Sequence, residues 1–302
     1  MNGDQVKVSE SFRMLHDYNT DGPPLAARLR DEHDRFDRFS RSVAGLLLDF
    51  SCTAIDDRVF ASLIGLAAAC GVEAERQRLF RGEEINFTEH RPVLHPLWRE
   101  RNFAALLEAG EARELGAATQ RMRGIAAALN GGRLPGDSGQ PHIKHIVHIG
   151  IGGSLLGPRL LCQAFPPRGD CPQVHFLSSV DALDRERLLE RIDPRETAVI
   201  LVSKSFSTSE VLLHARRIRD WQLAVMERPE ADRRLFAVTA AAARAEAFGV
   251  PAAHVLQMGE WTGGRFSVWS PVGVTAAVTM GPDGFDAFLG GGAAMDRHFR
   301  EA

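Results

Sequence analysis

Apolar and polar positions along the chain follow two patterns, and the change falls near residue 130. Before it, Ala, Leu, Arg and Glu recur at helical spacing through 25–39, 59–69 and 112–129, with one strand-like run at 43–50. The stretch Gly131-Gly132-Arg133-Leu134-Pro135-Gly136-Asp137-Ser138-Gly139 cannot continue a helix and predicts a junction. Beyond it, short apolar runs at 146–149, 174–177, 198–202, 235–238 and, more briefly, 255–258 alternate with longer amphipathic stretches. Strands that are apolar on both faces and separated by helices predict a parallel sheet covered on both sides. The expected fold class is therefore α/β: a doubly wound parallel sheet over 131–302, preceded by a mostly helical region, 1–130, that packs on it. The last stretch, 285–302, reads as an amphipathic helix with no Gly or Pro stop after it.

Composition narrows the function classes. A chain of 302 residues with 44% hydrophobic and 25% charged residues has a globular composition and the length of about two domains. The formal net charge of −3 is spread along the sequence and supplies no basic face for nucleic acid. Residues 1–18 lack the apolar run of a secretion signal, and no segment approaches membrane-spanning length, so a cytoplasmic protein without a membrane partner is expected. Cys52, Cys70, Cys162 and Cys171 show neither zinc-type pairing nor a disulfide framework and read as reduced packing residues.

In doubly wound folds ligands lie beyond the carboxyl ends of the strands, so the loops there carry the candidate chemistry. After the run 146–149 comes Gly150-Ile151-Gly152-Gly153-Ser154, followed by a helix expected to begin near Leu155. Bare amides and a helix start suit an anion or a sugar oxygen, and a tight strand-to-helix turn explains the same glycines equally well. A nicotinamide site fits less well. Leu155 stands where the dinucleotide fingerprint has its third glycine, and the next strand ends in Ser178-Ser179-Val180, with only Asp181 nearby to bind a ribose.

After 198–202 stands Ser203-Lys204-Ser205-Phe206-Ser207-Thr208-Ser209-Glu210, a cluster of hydroxyls around one of only three lysines in the chain, leading into a helix at 211–221. Many donors, a cation and a helix N-terminus suit a phosphate dianion; a helix cap made by Ser207 or Thr208 is the plainer alternative. In the third cluster, Gly259 to Gly273, paired glycines would present Arg265 to a cleft with Trp261 and Trp269 packed around it. An arginine there could stabilise an enediolate; one buried in an ion pair is the alternative. The run His142-x-x-His145-x-x-His148 enters a strand, where positions three apart face opposite sides. It reads as polar residues at a strand entrance rather than metal ligands.

Three motifs, Gly150-Ile151-Gly152-Gly153-Ser154, Ser203-Lys204-Ser205-Phe206-Ser207-Thr208 and Gly263-Gly264-Arg265-Phe266-Ser267-Val268-Trp269-Ser270, occur here in the order found in glucose-6-phosphate isomerases. The upstream segment from Ile85 to His95 also resembles that family, and the similarity runs from about residue 45 to the last residue. The resemblance implies a first sugar isomerase (SIS) domain over 131–302, with a second SIS domain absent from this chain. It implies that Gly153 and Ser154 contact the sugar, that Ser203, Ser205 and Thr208 hold the phosphate with Lys204, Phe206 and Ser207 in the same loop, and that Arg265 is catalytic through the enediolate. The implied activity is the aldose–ketose isomerisation of glucose 6-phosphate and fructose 6-phosphate in glycolysis and gluconeogenesis. It proceeds by ring opening, loss of the C2 proton and reprotonation at C1, with no metal and no organic cofactor, in a homodimer of the complete protein.

In that family the proton-transferring glutamate, a ring-opening histidine and a late lysine lie downstream of the arginine motif. The chain is accordingly expected to lack the general base and to be inactive alone. Glu260 reads as a solvated or ion-paired loop carboxylate, and Glu89 as a structural or subunit contact. Apolar positions within 276–299 are expected to lack their usual cover. A non-catalytic sugar-phosphate-binding SIS module is the alternative function, and a nicotinamide-dependent enzyme ranks third.

Overall fold

A computed structural model describes residues 23–140, 142–178 and 181–301, together with positions 8, 12, 13, 15 and 16. Most of 1–18, and Ser179 and Val180 of the strand end considered for a ribose site, lie outside the described residues. Contacts divide the chain into two compact units, one of residues 1–92 with 294–302 and the other of residues 93–293.

In the first unit the helical pattern of 25–39 resolves into two short helices, Leu25–Asp31 and Arg35–Arg38. The strand-like run 43–50 is the second half of a hairpin. Strand β1 (Ser40–Val43) pairs antiparallel with β2 (Leu46–Asp49) across Ala44-Gly45, both in the left-handed region. Phe39, Phe50 and Phe60 form an aromatic cluster, with Phe50 and Phe60 stacked at 5.6 Å. Arg35 is buried beside it and donates to the carbonyls of Ser51, Thr53 and Ile55 at 2.8–3.0 Å, satisfying the turn that leads to helix Asp57–Ala69. The cysteine reading holds only in part: all four are free, but Cys52 and Cys70 are exposed because one lies on that turn and the other caps the helix end.

The second unit carries a five-stranded, wholly parallel sheet made of β3 (His145–Ile149), β4 (Gln173–Leu177), β5 (Thr197–Val202), β6 (Leu235–Thr239) and β7 (Val255–Gln257), in the order 4-3-5-6-7. Side chains alternate between two cores. Ile146, Ala198, Ile200, Val202, Phe236 and Val238 face the helices Ala109–Asn130 and Val274–Met280. Val147, Val199, Leu201 and Ala237 face Val211, Ala215 and Ile218 of the helix Ser209–Leu223.

The compact units therefore divide at 92/93, whereas the expected junction at 131–139 lies inside the second. The helix Ala109–Asn130 buries Leu115, Met122, Ile125 and Leu129 in the same core as the sheet, so the Gly/Pro-rich stretch is a connection within one packed body. The expectation of uncovered apolar positions within 276–299 fails for its first part, because every residue of Val274–Met280 is buried between the sheet and its neighbours, whereas Phe299 near its end is exposed. Among the described residues no helix is long and apolar enough to cross a membrane.

Candidate functional site

Chain order reverses direction between β3 and β5, which lie side by side with Ile149 opposite Leu201. Adjacent strands that run to opposite sides of a sheet open a crevice at their carboxyl ends. The glycine-rich turn and the hydroxyl loop both leave this point.

The glycine-rich turn is built by close approach. Gly152 has φ 58° and ψ −125°, a conformation that L side chains rarely adopt, and it starts the helix Gly153–Ala164 without a side-chain cap. A Cβ on Gly153 would fall 2.8 Å from Gly264 Cα and closer still to its carbonyl, so backbone meets backbone here with no room for a methyl group. Ser267 Oγ lies 2.7 Å from the Gly264 carbonyl and 3.2 Å from the Gly153 carbonyl and can donate to either, clasping the two segments. Arg265 follows directly. Its side chain is exposed, carries no ion pair among the described residues, and lies 5.8 Å from the centre of the Phe266 ring, which removes the alternative of a buried structural arginine.

The tryptophans do not pack around that arginine. Trp261 is buried against Trp98 at 5.5 Å and donates to Glu111 at 3.1 Å, while Trp269 stacks on Phe288 at 4.3 Å. They fasten the wall behind the turn. What neighbours Arg265 is the ring of Phe266, stacked 4.3 Å from His95, whose Nδ1 accepts from Arg99 at 2.9 Å.

In the hydroxyl loop Ser203 is buried, and its hydroxyl pairs with Thr208 Oγ1 at 3.0 Å. Ser205 and Ser207 are exposed, with hydroxyls 2.7 Å apart. The Lys204 carbonyl accepts from Thr239 Oγ1 at 3.0 Å and from the Ala240 N–H at 2.9 Å, so the loop is pinned to the end of β6. Phe206 is a correction to its reading as a ligand residue. Its ring is buried against Phe248 and the lower core, and its left-handed φ of 47° turns the flanking serines outward. Thr208 occupies the cap position of Ser209–Leu223 but makes no side-chain cap bond there, which disposes of the cap explanation for the hydroxyls. The first amides of that helix and the hydroxyls above them are thus available to an anion. Arg244, not anticipated from sequence, adds a second cation by donating to the Ser205 carbonyl at 2.9 Å.

The remaining sequence candidates separate. Asp181 accepts from Leu183 N–H at 2.9 Å as a helix cap, a structural role that accounts for it without a ligand. Glu260 is exposed on its turn, and Glu89 is exposed in an ion pair with Arg91 at 3.3 Å. The histidine run diverges: His142 lies 3.6 Å from Asp137, and His145 hydrogen-bonds His175 at 3.2 Å. His148 is fully buried rather than at a polar strand entrance. Burial pushes its pKa down to about 4, although the hydrogen bond to the Ser154 backbone favours the protonated form. Burial likewise pushes the Cys162 thiol up to about 11.

A doubly wound α/β domain with two uncapped helix starts and a free arginine at its switch point is the class that these observations define. The phosphoglucose isomerase family model matches residues 49–302, and the chain belongs to that family. It is 42% identical over 269 residues to the glucose-6-phosphate isomerase of Cereibacter sphaeroides, covering 89% of this chain and 50% of that protein. To the Ruegeria pomeroyi glucose-6-phosphate isomerase it is 41% identical over 286 residues, covering 92% and 50%. The crystal structure of a glucose-6-phosphate isomerase from Chlamydia trachomatis superposes with a TM-score of 0.81 at 26% identity, over 96% of this chain and 55% of that one. The sheet-bearing unit is accordingly a sugar-isomerase-type α/β domain. The chain spans about half the length of the curated relatives it matches.

Proposed function

We propose that this chain binds glucose 6-phosphate and fructose 6-phosphate and contributes the phosphate loop and the charge-stabilising arginine of an aldose–ketose isomerase of glycolysis and gluconeogenesis. The observation that carries this reading is the contact of Gly153 with Gly264. It sets Arg265 beside the glycine-rich turn, at a switch point that the hydroxyl loop also borders. Lys204, Ser205, Ser207 and Thr208 take the phosphate, with Ser203 holding Thr208 from below and the helix amides adding donors. Gly153 and Ser154 face the sugar. Arg265, cationic throughout the reaction, stabilises the enediolate oxygen.

Proton transfer between C2 and C1 requires a base within hydrogen-bond reach; Glu89 is paired with Arg91, and Glu260 is an exposed carboxylate on a turn. We assign that step to groups outside residues 1–302. In the same reading 131–302 is the first of two SIS domains of a cytoplasmic homodimer. The test is a thermal shift of residues 1–302 with fructose 6-phosphate, run beside a coupled assay for glucose 6-phosphate formation. Stabilisation without turnover is expected. Turnover abolished by Arg265→Ala would place a base within the chain; no stabilisation by either sugar phosphate would remove the binding assignment itself.

A further inference from the structure

The helix Gly153–Ala164 contains Pro158, buried one turn in. Proline has no amide hydrogen, so the carbonyl four residues earlier, that of Ser154, loses its helical partner. An unpaired carbonyl beside a buried strand is costly, and at this position it would loosen the residues that precede it. The carbonyl is nevertheless satisfied. His148, on β3 and fully buried, places Nε2 2.8 Å from Ser154 O and Nδ1 2.7 Å from Thr275 Oγ1. A carbonyl only accepts, so Nε2 carries the proton and Nδ1 accepts from the threonine hydroxyl. The imidazole is thus fixed at both ends, between the sheet and the helix Val274–Met280, with the Phe176 ring 5.1 Å away.

We propose that His148 is a positioning residue for the sugar-facing turn: its Nε2–H stands in for the amide that Pro158 lacks and holds the Ser154 carbonyl, and through it Gly153 and Ser154, at the angle the ligand meets. The turn gains a carbonyl tied to the sheet rather than to its own helix, so its orientation is set by β3 and does not follow helix fraying. The functional half of this inference rests on the reading of Gly153 and Ser154 as sugar contacts; the structural half does not.

The experiment is a double-mutant cycle in the full chain. His148→Leu removes the donor, and Pro158→Ala restores a helical N–H to the same carbonyl. Hydrogen–deuterium exchange of residues 150–156 and calorimetric binding of fructose 6-phosphate are the two readouts. H148L is expected to raise exchange in that segment and to weaken binding roughly tenfold. P158A on that background should recover most of both losses, while P158A alone changes neither, and H148Q, which keeps a donor of similar reach, stays near wild type. A merely space-filling imidazole would not be rescued by an amide on another element, so equal losses with and without P158A overturn the proposal, as does unchanged exchange in H148L. If the unaltered chain binds no fructose 6-phosphate, the sugar-site reading fails, and the exchange data still decide the positioning role. Should H148L not fold, the 15N spectrum of the wild-type imidazole decides: an Nε2–H tautomer is expected, and an Nδ1–H tautomer overturns the assignment.

Discussion

The two loops that meet at the switch point solve the same problem by opposite means. Each must end a buried parallel strand, turn sharply and open a helix that takes no cap from a side chain. The turn after β3 does so with almost no side chains. Gly152 supplies the backbone angle, Gly153 lies directly on Gly264, and a histidine inside the sheet replaces a missing helical bond. The loop after β5 is crowded with side chains and is anchored by the one that points inward, Phe206, with Thr239 and Ala240 gripping the Lys204 carbonyl. In the first, position and contact belong to the same backbone atoms, so most changes disturb both. In the second, the anchor and the candidate ligand groups are different residues and can be altered separately.

The largest effect that would break this contrast is expected at Phe206. Truncating a buried phenylalanine costs about 3–5 kcal/mol, and Phe206→Ala should lower unfolding stability by that order and abolish sugar-phosphate binding with it. Urea unfolding followed by fluorescence measures the first. A loss under about 1 kcal/mol, the ordinary range for surface changes and volume-conserving swaps, would show that the loop is held by its backbone alone.

On the other side of the contrast lies a pH effect from His148. The folded state holds this imidazole near pKa 4, and an unfolded chain titrates it near 6.5. Between those values the unfolded state binds more protons, so the contribution of His148 is fully present above about pH 6.5 and is lost as pH falls through about 4. The gap corresponds to roughly 3 kcal/mol at its fullest. Denaturant unfolding at pH 7, 5.5 and 4 should show a steeper acid loss in wild type than in H148Q, whose amide does not titrate. Parallel slopes would mean that the imidazole is not held neutral.

Much of this architecture is legible in the chain because parallel strands buried on both faces must be apolar throughout, and all five runs from 146 onward became strands of one sheet. The loop motifs were legible as well, since hydroxyls, glycines and an arginine stand directly after those runs. What escaped depends on partners far away in sequence. His148 is defined by Thr275, Trp261 by Glu111 and Trp98 by Thr262, and each pair is separated by more than a hundred residues. Local pattern cannot show that Trp261 faces Glu111 and not Arg265. The run 43–50 shows only one strand of the hairpin at 40–49, and Leu46, Leu47 and Leu48 are all apolar yet all exposed, so burial does not follow hydropathy there. Phe206 escaped for a simpler reason. A motif groups neighbours in sequence, and a left-handed residue at its centre sends alternate side chains to opposite sides.

The smallest expected effect on stability is also the sharpest test of the division between anchor and ligand groups. Ser207 is exposed, its hydroxyl meets only that of Ser205 in the described structure, and the helix start beside it takes no cap from a side chain. Removing an exposed hydroxyl that caps nothing should leave stability within about 0.5 kcal/mol of wild type. If the same hydroxyl donates to a phosphate dianion, Ser207→Ala should nonetheless weaken fructose 6-phosphate binding by about tenfold, since a hydrogen bond to a charged group contributes roughly 1.5–3 kcal/mol. Calorimetry on the variant beside its urea curve separates the two quantities. A variant that loses stability and binding together would place Ser207 with Phe206 among the supports; one that loses neither would move the phosphate toward Lys204 and the helix amides.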